Sequence, residues 1–444
     1  MEHRFSNRQL KAMIIPLFLE QLLVMLVGIA DTLVISYAGD AAVSGVSLVN
    51  QFNNIFILLF SAMASGGAVV ISQYLGREEK KNASKTASQL LLCTTLFSAA
   101  VVILVLAFRS QMLGMLFGRV EADVMTNCLI YLEISAYSYP FIAIYNAGVA
   151  VFRSGGNTTT PMVVSMAANV INVIGNLIGV FVLHAGTAGV AWPSFLARAF
   201  SAILITFLVF RHKAAADFLP ASLVKFEPTR IRQILHIAIP NGLEDGIFQL
   251  VKVALSSMVA LFGTLQIAAN GIAQSFWSLA AIAGVSMGPV FITVIGQCMG
   301  EHNVEEARFY FKKLLKMTLV ISVAWNALIL MASPLFLNFY QMSEQERQLV
   351  FQLIVIHNVF NALAYPFSGA LSAGLRAAGD VRFTMIVSIS STLFVRVLFS
   401  WILGVVCQMG VIGIALAMAM DWIVRAVIFY QRERSGKWES FQVI

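Results

Sequence analysis

The chain has 444 residues, 59% of them apolar and 11% charged, with a formal net charge of +7. Soluble domains carry about 25% charged residues, so this composition excludes a chain built of ordinary water-soluble domains. The basic excess lies in short loops between apolar segments, the pattern of a membrane protein and not of a nucleic-acid-binding one.

Taken in order, the apolar runs predict twelve spans: 12–36, 46–75, 88–108, 125–150, 160–183, 188–210, 234–262, 268–298, 314–333, 349–374, 383–405 and 411–430. A spanning helix needs roughly 20 apolar residues. The uncharged stretch between Lys252 and Glu301 runs for 48 residues, enough for two spans and a turn. Cys93, Cys128, Cys298 and Cys407 fall in or beside apolar runs at spacings that match no metal or disulfide framework.

Arginine and lysine are distributed by side. Arg4, Arg8 and Lys11 precede the first span, Arg77 to Lys85 follow the second, Arg211 to Arg232 fill the centre, Arg308 to Lys316 follow the eighth, and Arg432 to Lys437 follow the twelfth. With Arg153, Arg376 and Arg382, one side holds 22 of the 29 basic residues. The other holds Arg109, Arg119 and Arg347. The excess of positive charge marks the cytoplasmic face, so both termini are expected there, in a multi-pass protein of the cell inner (plasma) membrane.

The chain also repeats itself. Pro16-Leu-Phe-Leu-Glu20 returns as Pro240-Asn-Gly-Leu-Glu244, Gln73-Tyr-Leu-Gly76 as Gln297-Cys-Met-Gly300, and Ala188-Gly-Val-Ala191 as Ile412-Gly-Ile-Ala415, each 224 residues later. Arg153-Ser-Gly-Gly156 returns as Arg376-Ala-Ala-Gly379. The expected fold is therefore an all-α membrane protein of twelve transmembrane helices in two like-oriented six-helix bundles. Residues 1–210 form the N-terminal bundle, 211–232 a cytoplasmic linker and 233–444 the C-terminal bundle. Like-oriented repeats are a transporter architecture, with a midplane site between or within the bundles.

No Gly-x-x-x-x-Gly-Lys-Ser/Thr loop occurs, and no histidine lies at ligand spacing from another. These features argue against ATP hydrolysis by that route and against an enzyme. They leave transport driven by an ion gradient, with a non-transporting receptor or scaffold as the rival of a different class.

The Pro-x-x-x-Glu pair, Ala-Asp31-Thr, the Gln-x-x-Gly closures and Arg153-Ser-Gly-Gly-Asn-Thr-Thr-Thr-Pro161 resemble the multidrug and toxic compound extrusion (MATE) family over residues 10–435, in a bacterial branch. The resemblance implies an exporter of small organic, often cationic, compounds in exchange for protons or sodium ions. It implies no cofactor beyond that coupling ion. The protein is expected to meet membrane lipid, to bind no nucleic acid and to function as a monomer. A flippase for lipid-linked saccharides, of related architecture, is the alternative. It would need more basic residues in its interior than Lys252, Arg198 and Arg396 supply.

Intramembrane charge costs about 3 kcal/mol or more and calls for a reason. Glu20 and Asp31 share one face of span one, and Asn169, Asn172 and Asn176 form a polar stripe on span five. By resemblance, Asp31 is the coupling-ion carboxylate; the coupling-ion set is expected to be Asp31, Asn172, Asn176, Ser194 and Glu20. The family commonly has a carboxylate where Asn176 stands and a threonine where Ser194 stands. Sodium is a candidate ligand at Asp31, Asn172 and Asn176. The plain alternative for the amides and Ser194 is interhelical hydrogen bonding. In the C-terminal half, Asp245, Gln249 and Lys252 share a face, so Lys252 is expected to pair with Asp245, with Glu244 beside them. Asp421 and Arg425 are spaced for a structural pair. Arg396 either joins them or lines the C-half interior.

Overall fold

The computed structural model describes residues 3–118, 120–441 and 443–444, so Arg119, assigned above to the sparsely basic side, lies outside the described residues. The described residues are helical and joined by short turns. In chain order the helices are α1 (Asn7–Ser36), α2 (Asp40–Gly76), α3 (Lys80–Phe117), α4 (Ala122–Tyr137), α5 (Tyr139–Ser154), α6 (Thr159–Leu177), α7 (Ala188–Phe210), α8 (Pro220–Val224), α9 (Pro228–Val259) and α10 (Thr264–Val285). They continue as α11 (Gly288–Gly300), α12 (Val304–Leu337), α13 (Glu344–Tyr365), α14 (Leu371–Ala377), α15 (Val381–Ser391) and α16 (Val411–Arg434). Among the described residues eleven segments are long and apolar enough to cross a membrane. The pair α4 and α5, bent by 43°, makes a twelfth when counted as one span. The bend falls where Ser138 precedes Pro140, which supplies no backbone N–H to the turn before it.

The helices α1, α12 and α13 extend past their apolar cores on polar first turns that are capped. Ser6 accepts from the Gln9 backbone N–H while the Gln9 side chain accepts from Ser6 N. Asn303 and Ser343 accept from the N–H groups of Glu306 and Glu346. Each bond satisfies a donor that a helix start otherwise leaves unpaired.

Contacts divide the chain into a first compact unit, Ser6–Gly242, and a second, Leu243–Ile444 together with residues 3–5. These borders differ from the sequence boundaries at both ends of the intended linker. Segment 211–232 is packed, not free. Gln89 Nε2 donates to the carbonyls of Ser222 and Lys225, Ser84 Oγ accepts from Asp217 N, and Arg230 donates to Asn82 Oδ1. The start of α9 lies so close to α2 that a Cβ on Gly66 would meet the Ile234 carbonyl at 2.7 Å. Residues 3–5 belong to the second unit through Arg4, which donates to Gln297 and Glu301, and through Phe5 N, which donates to Tyr310 Oη.

Each unit has its own apolar core. That of the first unit gathers Val49, Phe60, Leu132 and Tyr139, and that of the second gathers Phe276, Leu353, Ile354 and Ile414. Each unit also brings a wide helical end against the next helix through glycine. Gly179 touches Gly189 so closely that no Cβ fits, and a Cβ on Gly413 would meet Gly404 N at 2.6 Å. The first contact seats the end of α6 on the start of α7, the two helices that carry Asn172, Asn176 and Ser194.

Candidate functional site

In the first unit α1, α6 and α7 bring four predicted residues into one hydrogen-bonded line. Asn176 Nδ2 donates to Asp31 Oδ1 at 2.7 Å and to Asn172 Oδ1 at 2.7 Å. Asn172 Nδ2 donates to Ser194 Oγ at 3.0 Å, and Ser194 Oγ donates to the Val190 carbonyl at 3.0 Å. Asn172 and Asn176 lie one turn apart on α6, so both amides face α1 and α7. Asn176 is fully buried and Asp31 half-buried. Arg198, which sequence reasoning placed in a span without a role here, lies within electrostatic range of Asp31 and donates to Ser138 Oγ at 2.7 Å.

The donor set suits a small hard cation. Among the described residues the buried Asn176 Oδ1 has no hydrogen-bond partner, and it belongs to the amide whose nitrogen bonds both the Asp31 carboxylate and the Asn172 carbonyl oxygen. Oxygen ligands with one carboxylate fit sodium, and the same carboxylate fits a proton. Among the described residues no group of three or more His, Cys, Asp or Glu side chains forms a transition-metal centre.

Glu20 stands apart from this line. Its carboxylate pairs with Arg153 Nη2 at 2.7 Å, although it shares a helix face with Asp31. The two acids are 11 residues apart on α1, about 16 Å along the axis, too far to share one ion. Glu244 does the same in the second unit, pairing with Arg376 Nη1 at 3.2 Å. The signal for both pairs was present in the repeat, since both acids and both arginines occupy equivalent motif positions.

Asp245 and Lys252 form no ion pair within 4 Å among the described residues, and no hydrogen bond joins either to Gln249. A separation of i to i+7 is about 10 Å of helix rise, beyond direct contact for a short aspartate. Arg396 joins Asp421 and Arg425 instead. Its Nη2 lies 2.6 Å from Asp421 Oδ2, the Arg425 Nη2 lies 2.9 Å from the same oxygen, and Ser391 Oγ donates to Asp421 Oδ1. A π-helical segment, Thr392–Val397, carries Arg396 into this contact. Phe248 lies against both guanidiniums, at 5.6 and 5.2 Å.

Two repeated helical units with intramembrane polar networks define a multi-pass membrane transporter. Family comparison agrees: the MatE family model matches residues 16–178 and again 240–402, the second match displaced by the 224 residues of the internal repeat, and the chain belongs to that family. Members of this family are transporters and not enzymes. The chain is similar to the uncharacterized transporter YisQ of Bacillus subtilis (strain 168), 26% identical over 95% of this chain and 93% of that one. It is similar to the probable multidrug resistance protein NorM of Thermotoga maritima, 23% identical over 99% of this chain and 94% of that one. A crystal structure of MATE in complex with MaL6 has the same fold, with a TM-score of 0.89 at 20% identity over 96% of this chain and 95% of that one. So does an outward-facing multidrug resistance MATE family transporter of the MOP superfamily, with a TM-score of 0.88 at 21% identity and the same coverage.

Proposed function

We propose that this protein is a secondary active exporter of small organic compounds, seated in a bacterial inner membrane with both termini cytoplasmic and functioning as a monomer. It exchanges its substrate for protons or sodium ions by alternating access. The observation that carries this reading is the line from Asp31 through Asn176 and Asn172 to Ser194, a single intramembrane carboxylate held by neutral oxygen and amide groups. Multidrug resistance proteins among its relatives support the export of varied organic solutes.

A cation at this site would be held by Asp31, Asn176 and Asn172, and it would supply the charge that makes ion entry and substrate entry compete. Asn176 positions the carboxylate by its N–H while leaving its own oxygen available. Ser194 fixes the orientation of Asn172 by accepting one amide proton. Ion and substrate need only favour different states of the protein for exchange to follow. The test is purified protein in liposomes, loaded with a fluorescent organic cation, under imposed proton and sodium gradients. Flux that follows either gradient supports the reading, and flux that ignores both refutes it.

A further inference from the structure

We propose that the second unit binds a negatively charged group on an aromatic solute, through Lys252 and Arg396. This deepens the exporter reading by naming a substrate class, and it rests on that reading for its link to transport.

Charge balance carries the argument. Lys252 has no ion pair or hydrogen bond among the described residues, yet it lies one turn along α9 from Phe248, the ring that packs on Arg396 and Arg425, and within electrostatic range of Arg396 and Asp245. Arg396 and Arg425 share one carboxylate, that of Asp421, which is completely buried. The Arg425 Nε is buried without an acceptor. Glu244 and Arg376 neutralise each other, and His357 on α13, also within range of Arg396, carries no negative charge at any pH. Three cations, Lys252, Arg396 and Arg425, therefore face two acids, Asp245 and Asp421. Arg396 and Arg425 are buried and Lys252 is exposed, so the surplus charge lies where an arriving anion can reach it, and a bound anion offsets the cost of holding the buried guanidiniums.

The surroundings specify what kind of anion. Phe248 packs on both arginines. Trp277 and Trp422 stack with centroids 6.1 Å apart, and Tyr365 meets Trp422 edge-on. Tyr365 itself lies within range of Arg425 and Asp245, which places the aromatic group beside the charged one. The Trp277 Nε1 donor is buried and has no acceptor among the described residues. Aromatic faces stack on flat rings, while the ammonium and guanidinium groups take a carboxylate, sulfonate or phosphate. A lipid head group would offer the same anion without the ring, so aromatic content separates the two sources.

The experiment is equilibrium dialysis of purified full-length protein with radiolabelled 1-naphthoate, with 1-naphthylmethylammonium as the matched cation. The expected result is saturable naphthoate binding, weakened roughly tenfold or more in Lys252→Gln and restored in Lys252→Arg. Octyl phosphate should displace it poorly. No saturable naphthoate binding, equal binding in Lys252→Gln, or equally tight binding of the ammonium compound overturns the proposal. Displacement by octyl phosphate at matching concentration overturns it in favour of a lipid-headgroup site. The same protein is then placed in liposomes for flux of both compounds under proton and sodium gradients. Lys252-dependent binding with no flux of either compound leaves the site standing and removes the exporter reading. Flux of the cation with no naphthoate binding does the reverse.

Discussion

Arg153 Nη2 donates to Glu20 Oε2 at 2.7 Å, tying the last turn of α5 to the first half of α1 across 133 residues of chain. Arg376 and Glu244 repeat the bond in the second unit at 3.2 Å. Both acids are buried, and removing one partner leaves an uncompensated charge. Arg153→Ala is expected to destabilise the protein by about 3 kcal/mol, the low end for a broken buried pair. The double variant Glu20→Arg with Arg153→Glu should recover part of the loss. The thermal unfolding midpoint in detergent reads this, and an unchanged midpoint for Arg153→Ala would show that the bond braces nothing.

Orientation is tested by two positions on opposite loops. Val224 is 90% exposed at the end of α8, and Cys407, also exposed, precedes α16. With cytoplasmic termini, a membrane-impermeant maleimide should modify Cys407 in intact spheroplasts. In a Cys407→Ser background it should reach Val224→Cys only after permeabilisation. The reverse pattern would invert the topology.

The spans were legible because charge is expensive in hydrocarbon, so long uncharged runs announce themselves. Helix ends were less so. Residues such as Lys80–Lys85 and Glu344–Gln348 look like loop, yet both are helical, the first with Asn82 donating to Glu79 and the second capped by Ser343. The α6 stripe was legible because Asn172 and Asn176 are one turn apart, and helical spacing fixes a shared face. The Glu20–Arg153 pair was legible only through the repeat, which sets an acid and an arginine at equivalent positions in both halves, because a helix face alone says nothing about which distant helix end returns to it. Asp245 and Lys252 show the opposite failure. The shared face was read, but two turns of axial rise were not.

Asp31 is the single carboxylate in the line formed with Asn176, Asn172 and Ser194. Asp31→Asn keeps the size and the capacity to bond Asn176, so expression should stay near the parental level. It removes both the negative charge and the protonation site, so uphill export driven by either ion should be abolished. Parental export rates in Asp31→Asn liposomes would show that coupling lies elsewhere.

In the exporter proposed above, Asn176 is expected to set which ion that carboxylate prefers. Its Nδ2 donates to Asp31 Oδ1 at 2.7 Å, while its own buried Oδ1 has no hydrogen-bond partner among the described residues. A cation can be ligated by oxygens of both residues, whereas a proton is held by Asp31 alone, because an amide carries no titrating proton. Asn176→Asp replaces that donor with a second carboxylate at the same distance. Two like charges so close resist full ionisation, and the pair retains one proton to higher pH than Asp31 alone. The proton-driven component of export should therefore extend upward by about one pH unit or more and grow relative to the sodium-driven component. The measurement is export rate against pH, with and without sodium, for parent and variant in identical liposomes. Superimposable profiles would show that position 176, although it touches Asp31, takes no part in ion coupling, and the amide would then be a structural tether between α6 and α1.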